Sequence, residues 1–252
     1  MNFLQLQTGE KVTAMFPVDQ DAEGGYLVMA TRQGVIKKTP MSEFANIRKG
    51  GIIAQQLRDG DELIAVEYSD GNDEFIVASK KGKSIRFRED DVRAMGRVAA
   101  GVRAILLDED DAVVDMVKVI PGAHVLTVSS LGMGKRTKEA NYPLQRRGGK
   151  GVLAMSITER TGDLECLRMA TEDEDLMLIR DDGTLIRMPL EQVSVIGRNT
   201  QGVHLMRVDE GTRIASVAVV PHQEPEEDAD GNAPAQATAE APEGVPEGAP
   251  EA

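Results

Sequence analysis

Short apolar runs of five or six residues recur along the chain, each followed by a polar turn with glycine and then a second, mixed run. Phe75-Ile76-Val77-Ala78-Ser79 leads through Lys80-Lys81-Gly82 into Ser84-Ile85-Arg86-Phe87-Arg88. Leu176-Met177-Leu178-Ile179-Arg180 leads through Asp181-Asp182-Gly183 into Leu185-Ile186-Arg187-Met188. Runs this short, rich in β-branched residues and joined by Asp-Gly or Lys-Gly, read as β-hairpins rather than helices. The unit repeats. The turn glycines Gly34, Gly82, Gly132 and Gly183 stand 48, 50 and 51 residues apart, and a second set that opens another apolar run, Gly51, Gly101, Gly151 and Gly202, stands 50, 50 and 51 apart. Two landmarks keeping one period define a repeat architecture. Four units result, about 26–66, 74–119, 123–169 and 175–219.

Within each unit the pattern predicts two hairpin strands and a polar connection of about ten residues, with a helical turn near Pro40–Phe44. A third strand starts at the second glycine, and a fourth follows an acidic turn such as Asp59-Gly60-Asp61-Glu62. Four short strands per roughly 50 residues match a propeller blade, so the fold class is all-β, a propeller-like disc. Residues 1–20 resemble the second half of a unit and predict a half blade belonging to a longer protein. From His222 the composition changes to Pro, Ala, Gly and Glu, predicting a disordered acidic tail over 222–252 beyond a folded body at 1–221.

Charge sharpens the picture. The net charge of −13 is concentrated at the end: the last 31 residues carry nine carboxylates and no Lys or Arg. The body is close to neutral, and its cations are placed in register. Four residues after each turn glycine stands Lys38, Arg86, Arg136 or Arg187. Three or four residues before each second glycine stands Arg48, Arg97, Arg147 or Arg198. Lys49, Arg88 and Lys135 lie close by, with Lys37, Lys80, Lys81, Lys83, Arg93 and Lys138. Basic residues recurring once per blade predict a curved basic track on the rim, suited to the phosphates of bent duplex. The heptapeptide Gln145-Arg146-Arg147-Gly148-Gly149-Lys150-Gly151 is the densest stretch, joining cations to glycines that let a ligand approach bare backbone.

Other chemistry is poorly supported. Aromatics are only 3% of residues, too few for stacking platforms under single-stranded bases. The single Cys166 excludes an internal disulfide and fits a reducing cytoplasm. His124, His204 and His222 are widely separated, without metal-ligand spacing, and neither a P-loop nor a nucleophile–base arrangement occurs. No apolar run approaches a membrane span.

Gln145–Gly151 resembles the gyrase A box. Arg93-Ala94-Met95-Gly96, Gly134-Lys135-Arg136-Thr137 and Ile196-Gly197-Arg198-Asn199-Thr200-Gln201-Gly202-Val203 also resemble the C-terminal domain of the DNA gyrase A subunit. The resemblance covers residues 1 to about 221. It implies a six-bladed β-pinwheel whose blades exchange strands, with duplex DNA wrapped around its rim in one hand so that an ATP-driven enzyme introduces negative supercoils. It implies DNA-binding roles for the box, Gln145 to Gly151, and partnership with the rest of the gyrase A subunit and with the gyrase B subunit in a heterotetramer. ATP and Mg are used by that parent enzyme. For this chain the resemblance implies no cofactor of its own, no catalytic tyrosine or ATPase part, and no enzymatic activity on its own. In the family the main box lies in the first blade, whereas here it falls in the third complete repeat, so it is either the main box or a second, box-like loop. Two alternatives stay open: the equivalent domain of topoisomerase IV, and a propeller serving as a protein-interaction scaffold.

Overall fold

The hairpins form where turn chemistry predicts them, and the computed structural model describes them within residues 12, 13, 15, 24–46 and 51–222. The half blade expected at 1–20, the tail after His222, and Arg48 and Lys49 lie outside the described residues, apart from three positions in the first of these. In chain order the strands are β1 (Tyr26–Thr31), β2 (Val35–Pro40), β3 (Leu63–Ser69), β4 (Glu74–Ser79), β5 (Lys83–Arg88), β6 (Val102–Arg103), β7 (Val113–Lys118) and β8 (His124–Ser129). They continue as β9 (Met133–Lys138), β10 (Val152–Leu153), β11 (Leu164–Ala170), β12 (Glu174–Arg180), β13 (Leu185–Pro189), β14 (Val203–His204) and β15 (Ile214–Pro221). A short 3-10 turn follows the hairpin in each unit, at Met41–Phe44, Glu89–Asp91, Glu139–Asn141 and Leu190–Gln192.

The strands build four antiparallel sheets ordered β3-β1-β2-β6, β10-β5-β4-β7, β11-β8-β9-β14 and β13-β12-β15. Each two-residue strand that follows a second glycine leaves its own repeat and pairs with the hairpin of the preceding one: Val102 opposite Ile36, Val152 opposite Ser84, Val203 opposite Gly134. A blade closed within one repeat is therefore incorrect, and the exchange implied by the family resemblance is what forms. The reason is steric as much as sequential. A Cβ on Gly151 would lie 2.1 Å from the Ser84 carbonyl oxygen, so only glycine, at φ 69°, lets the donated segment reach the preceding blade.

Blade order is set by the core. The inner strands β3, β7, β11 and β15 touch one another in succession, leaving β2, β5, β9 and their donated strands outward. Residues alternate across a strand. Phe75 and Val77 of β4 enter a cluster with Val28, Ile36 and Ile105 on one side, while Ile76 and Ala78 enter another with Val125, Met155 and Leu167 on the other. A hairpin strand buried on both faces must be apolar throughout, which explains the unbroken runs that marked these strands.

Candidate nucleic-acid interface

The cations that recur once per repeat are not on an open rim. Lys38 is 7% exposed, its ammonium 3.4 Å from the Glu89 carboxylate of the next repeat and over the Tyr26 ring at 4.7 Å. Arg86 reaches Glu139 of the next repeat at 2.7 Å, and Glu74 of its own blade at 2.7 Å. Arg136, 4% exposed, donates to the Val193 carbonyl at 2.9 Å and to Glu191 O at 3.2 Å, again in the next repeat. Arg187 pairs with Asp175 at 2.8 Å and donates to Pro221 O. The first aligned row is thus a set of staples, three of them running from one blade to the 3-10 turn of the following repeat. Their backbones do the same: Lys38, Arg86 and Arg136 bridge in parallel to Ala94, Leu144 and Val195. The expected track through Lys38, Arg86, Arg136 and Arg187 is corrected accordingly. Lys38, Arg86 and Arg136 tie one blade to the next, and Arg187 is held by partners in its own sheet.

Lys135 is corrected more fully. It has no exposed surface, and its ammonium lies under the loop 197–200, bonded to that loop's carbonyls. Burial, and then the nearby Arg198, lower its pKa to about 8. Lys37 is held in a similar way, bonded to Ala54 O at 2.6 Å and to the Arg97 carbonyl of the next repeat, with its pKa also lowered to about 8 by burial first and Arg97 second.

The second aligned row lies between inside and outside. Arg97, Arg147 and Arg198 are partly exposed, and each guanidinium grips the carbonyl of an equivalent residue one repeat back: Ile53 at 3.2 Å, Arg103 at 3.0 Å and Leu153 at 2.6 Å. These bonds fasten the loop entering each donated strand to the one before it. A guanidinium has five N–H donors, so one such bond leaves others for a ligand.

The box loop is fixed by its neighbours and open on its outer side. Gln145 N–H bonds Arg86 O at 2.8 Å. Arg147 also donates through Nε to Asp91 O at 2.6 Å. Gly148, at φ 83°, donates to Ala104 O, and Gly149 O accepts from Leu106 N–H at 2.8 Å. Gly148 N–H is therefore committed to protein and does not wait for phosphate. Arg146 is exposed, and Lys150 is 69% exposed with only a loose 3.5 Å contact to Asp108. A surface pair of that kind contributes at most about 1 kcal/mol and yields readily to a phosphate. Arg88, 67% exposed and 3.8 Å from Glu74, is similarly available.

Two further cations adjoin the box and escape a reading of the sequence. Arg103, exposed on β6, supplies the carbonyl that Arg147 grips, and it lines a cleft of about 410 Å³ with Arg58 and Gln33 on the first blade. Its counterparts in the other repeats are Ile53, Leu153 and His204, so a search for recurring charge passes over it. Arg58 and Arg103 share that cleft, Arg103 lies against Gly148 of the box, and Arg146 and Lys150 are the exposed cations of the box itself. Two other reactive side chains are internal: Tyr142 and Cys166 are buried in the apolar clusters, and burial pushes both pKa values up. Among the described residues no group of three His, Cys, Asp or Glu is placed to hold a metal, and no helix is long and apolar enough to cross a membrane.

Comparison with known proteins agrees with this geometry. The family described as "DNA gyrase C-terminal domain, beta-propeller" matches four segments, 25–69, 73–120, 123–165 and 174–221. The DNA gyrase A subunit of Salmonella typhimurium is 43% identical over 228 residues, covering 90% of this chain and 26% of that protein. The Escherichia coli K12 protein of the same name is 41% identical over the same length, with the same shares covered. The chain thus spans about a quarter of the length of these relatives. Among solved structures, a DNA gyrase A C-terminal domain aligns with TM-score 0.77 at 25% identity over 86% of this chain and 73% of that one. The C-terminal domain of DNA topoisomerase IV aligns with TM-score 0.81 at 20% identity over 86% and 68%, a likeness of fold alone. The strand-exchanged blades, the box loop on their outer edge and four matched segments together make this chain a member of the DNA gyrase C-terminal domain, beta-propeller family.

Proposed function

We propose that this chain binds duplex DNA without sequence preference, bends it around the outer edge of its blades, and supports ATP-dependent negative supercoiling as the C-terminal part of a gyrase A subunit. The single observation that carries the proposal is the box loop, anchored through Arg147 and Gly148 while Arg146 and Lys150 stay exposed. Cations held at fixed positions on a curved edge contact phosphate rather than bases, so they set position and bend and carry no base information directly. Smoothly bending 20–30 base pairs costs about 1–6 kcal/mol, which several such contacts must offset. The topoisomerase IV alternative shares the fold, but the curated relatives at 37–43% identity are gyrase A subunits. In this reading the partners are the remainder of the gyrase A subunit and the gyrase B subunit, the ATP and Mg belong to the assembled enzyme, and the setting is the cytoplasm. The domain alone neither cleaves nor reseals DNA.

The deciding experiment incubates the chain with nicked plasmid, seals the nicks and resolves the topoisomers. A shift in linking number that grows with protein concentration is the expected outcome. Tight binding with an unchanged linking number would reduce the proposal to DNA binding without chiral wrapping. Salt-insensitive capture of a protein, with no duplex binding, would favour the scaffold.

A further inference from the structure

Lys135 lies beneath the loop 197–200, and the way it is held says what the top of the loop offers. Its Nζ lies 2.9 Å from Gly197 O, 2.8 Å from Thr200 O and 3.0 Å from Thr200 Oγ1, and it also bonds Arg198 O. That is more acceptors than an ammonium has hydrogens, so the loop's carbonyls are drawn inward around one charge. In a planar trans peptide the C=O and the following N–H point in opposite directions. With Gly197 O and Arg198 O turned down towards Lys135, the N–H groups of Arg198 and Asn199 turn up, away from the core. Among the described residues neither N–H meets a protein acceptor. Gly197, Asn199 and Thr200 are exposed, and a shallow cleft of about 320 Å³ opens over the loop, lined also by Arg198 and Asn141.

We propose that the loop 197–200 is a phosphate seat on the DNA path, in which the Arg198 and Asn199 N–H groups bind one backbone phosphate and Lys135 is the positioning residue that turns them outward. This inference rests on the DNA-binding function proposed above. Successive N–H groups converging on one side of a turn form an anion-binding concavity. Here a buried ammonium backs them and the partly exposed Arg198 flanks them. A partial parallel occurs in the first blade, where Lys37 holds Ala54 O and Arg97 O. In the second blade the equivalent position is Ile85, and the loop above it is the box, which carries its own Lys150. The blade with Lys135 below the loop presents backbone donors; the blade with isoleucine below presents cationic side chains.

The test is an amide NMR titration of the whole chain with a 20-base-pair duplex of arbitrary sequence, beside binding measurements on Lys135→Met. The Arg198 and Asn199 amides should shift and saturate with the dissociation constant of the duplex. Lys135→Met should raise that constant roughly 5-fold and reduce the log–log salt slope by about 0.9, the equivalent of one phosphate. Amides of Arg198 and Asn199 that stay put at saturation, while those of the box loop move, would overturn the seat and leave the proposed function standing. Absence of duplex binding altogether would remove both. A folded Lys135→Met protein with unchanged affinity and slope would strip Lys135 of its role, and should that variant not fold, the wild-type titration alone decides.

Discussion

At the scale of single residues, exposure separates the cations that hold the fold from those left open to a ligand. Arg146 and Lys150 are exposed and loosely partnered, whereas Arg147 is fastened to two backbone carbonyls. Replacing Arg146 and Lys150 by Ala should weaken binding to all duplex sequences alike and reduce the salt slope by up to about 1.8 units, at ~0.9 per phosphate. Arg147→Ala should release the loop from Arg103 and Asp91, so its effect appears as lost protection of the Gly148 amide in hydrogen exchange as well as weaker binding. A slope unchanged in the double variant would take the box out of the interface. Lys37 and Lys135 make a separate prediction. Their pKa values fall from 10.5 to about 8 in the folded chain, through burial first, with Arg97 opposing and Glu43 favouring the charge on Lys37 and Arg198 opposing that on Lys135. Between those pH values the unfolded chain holds more protons, so these two groups make the folded state gain stability as pH rises from about 8 to 10.5. Denaturant titrations over that range should show the Lys37→Met, Lys135→Met double variant losing up to two protons' worth of that slope.

At the scale of elements, the repeat is held by a cation on β2, β5 or β9 reaching the turn after the next hairpin. Arg86 and Glu139 show the arrangement best, at 2.7 Å with side chains only 15% and 16% exposed. Removing one member of a largely buried pair strands the other, so Arg86→Ala should cost about 3 kcal/mol in urea unfolding. Arg88→Ala, two positions on and solvated, should cost under about 1 kcal/mol. A double-mutant cycle with Glu139→Gln isolates the pairwise part, and near-zero coupling would show that Arg86 stabilises through Glu74 instead. These staples also account for the in-register cations that the sequence displays so plainly. A feature that recurs at every period of a repeat fold is first a feature of the fold, because each blade meets the next through the same surfaces. Cations outside that register, Arg58, Arg103, Arg146 and Lys150, are exposed and make the stronger candidates for the proposed DNA contacts.

At the scale of the whole molecule, the proposed function makes DNA affinity depend on the balance of charge between body and tail. The nine carboxylates after residue 221 have no Lys or Arg among them, so under the proposed function they are expected to compete with DNA for cations of the body. Deleting residues 224–252 should tighten duplex binding or leave it unchanged, most clearly at low salt where screening is weakest; weaker binding after deletion would assign the tail a different role. The hairpins, their glycine turns, the period near 50 and the box were all legible in the sequence by itself. Turn geometry is set by residues adjacent along the chain, and a strand that will be buried on both faces must carry an unbroken apolar run, so both leave a local record. The destination of β6, β10 and β14 and the inward course of Lys38, Lys135 and Arg136 were decided only by the tertiary structure. Strand alternation tells which face a side chain takes, but whether that face meets water or the next blade depends on contacts 50 residues or more away, as between Lys135 and the loop at 197–200.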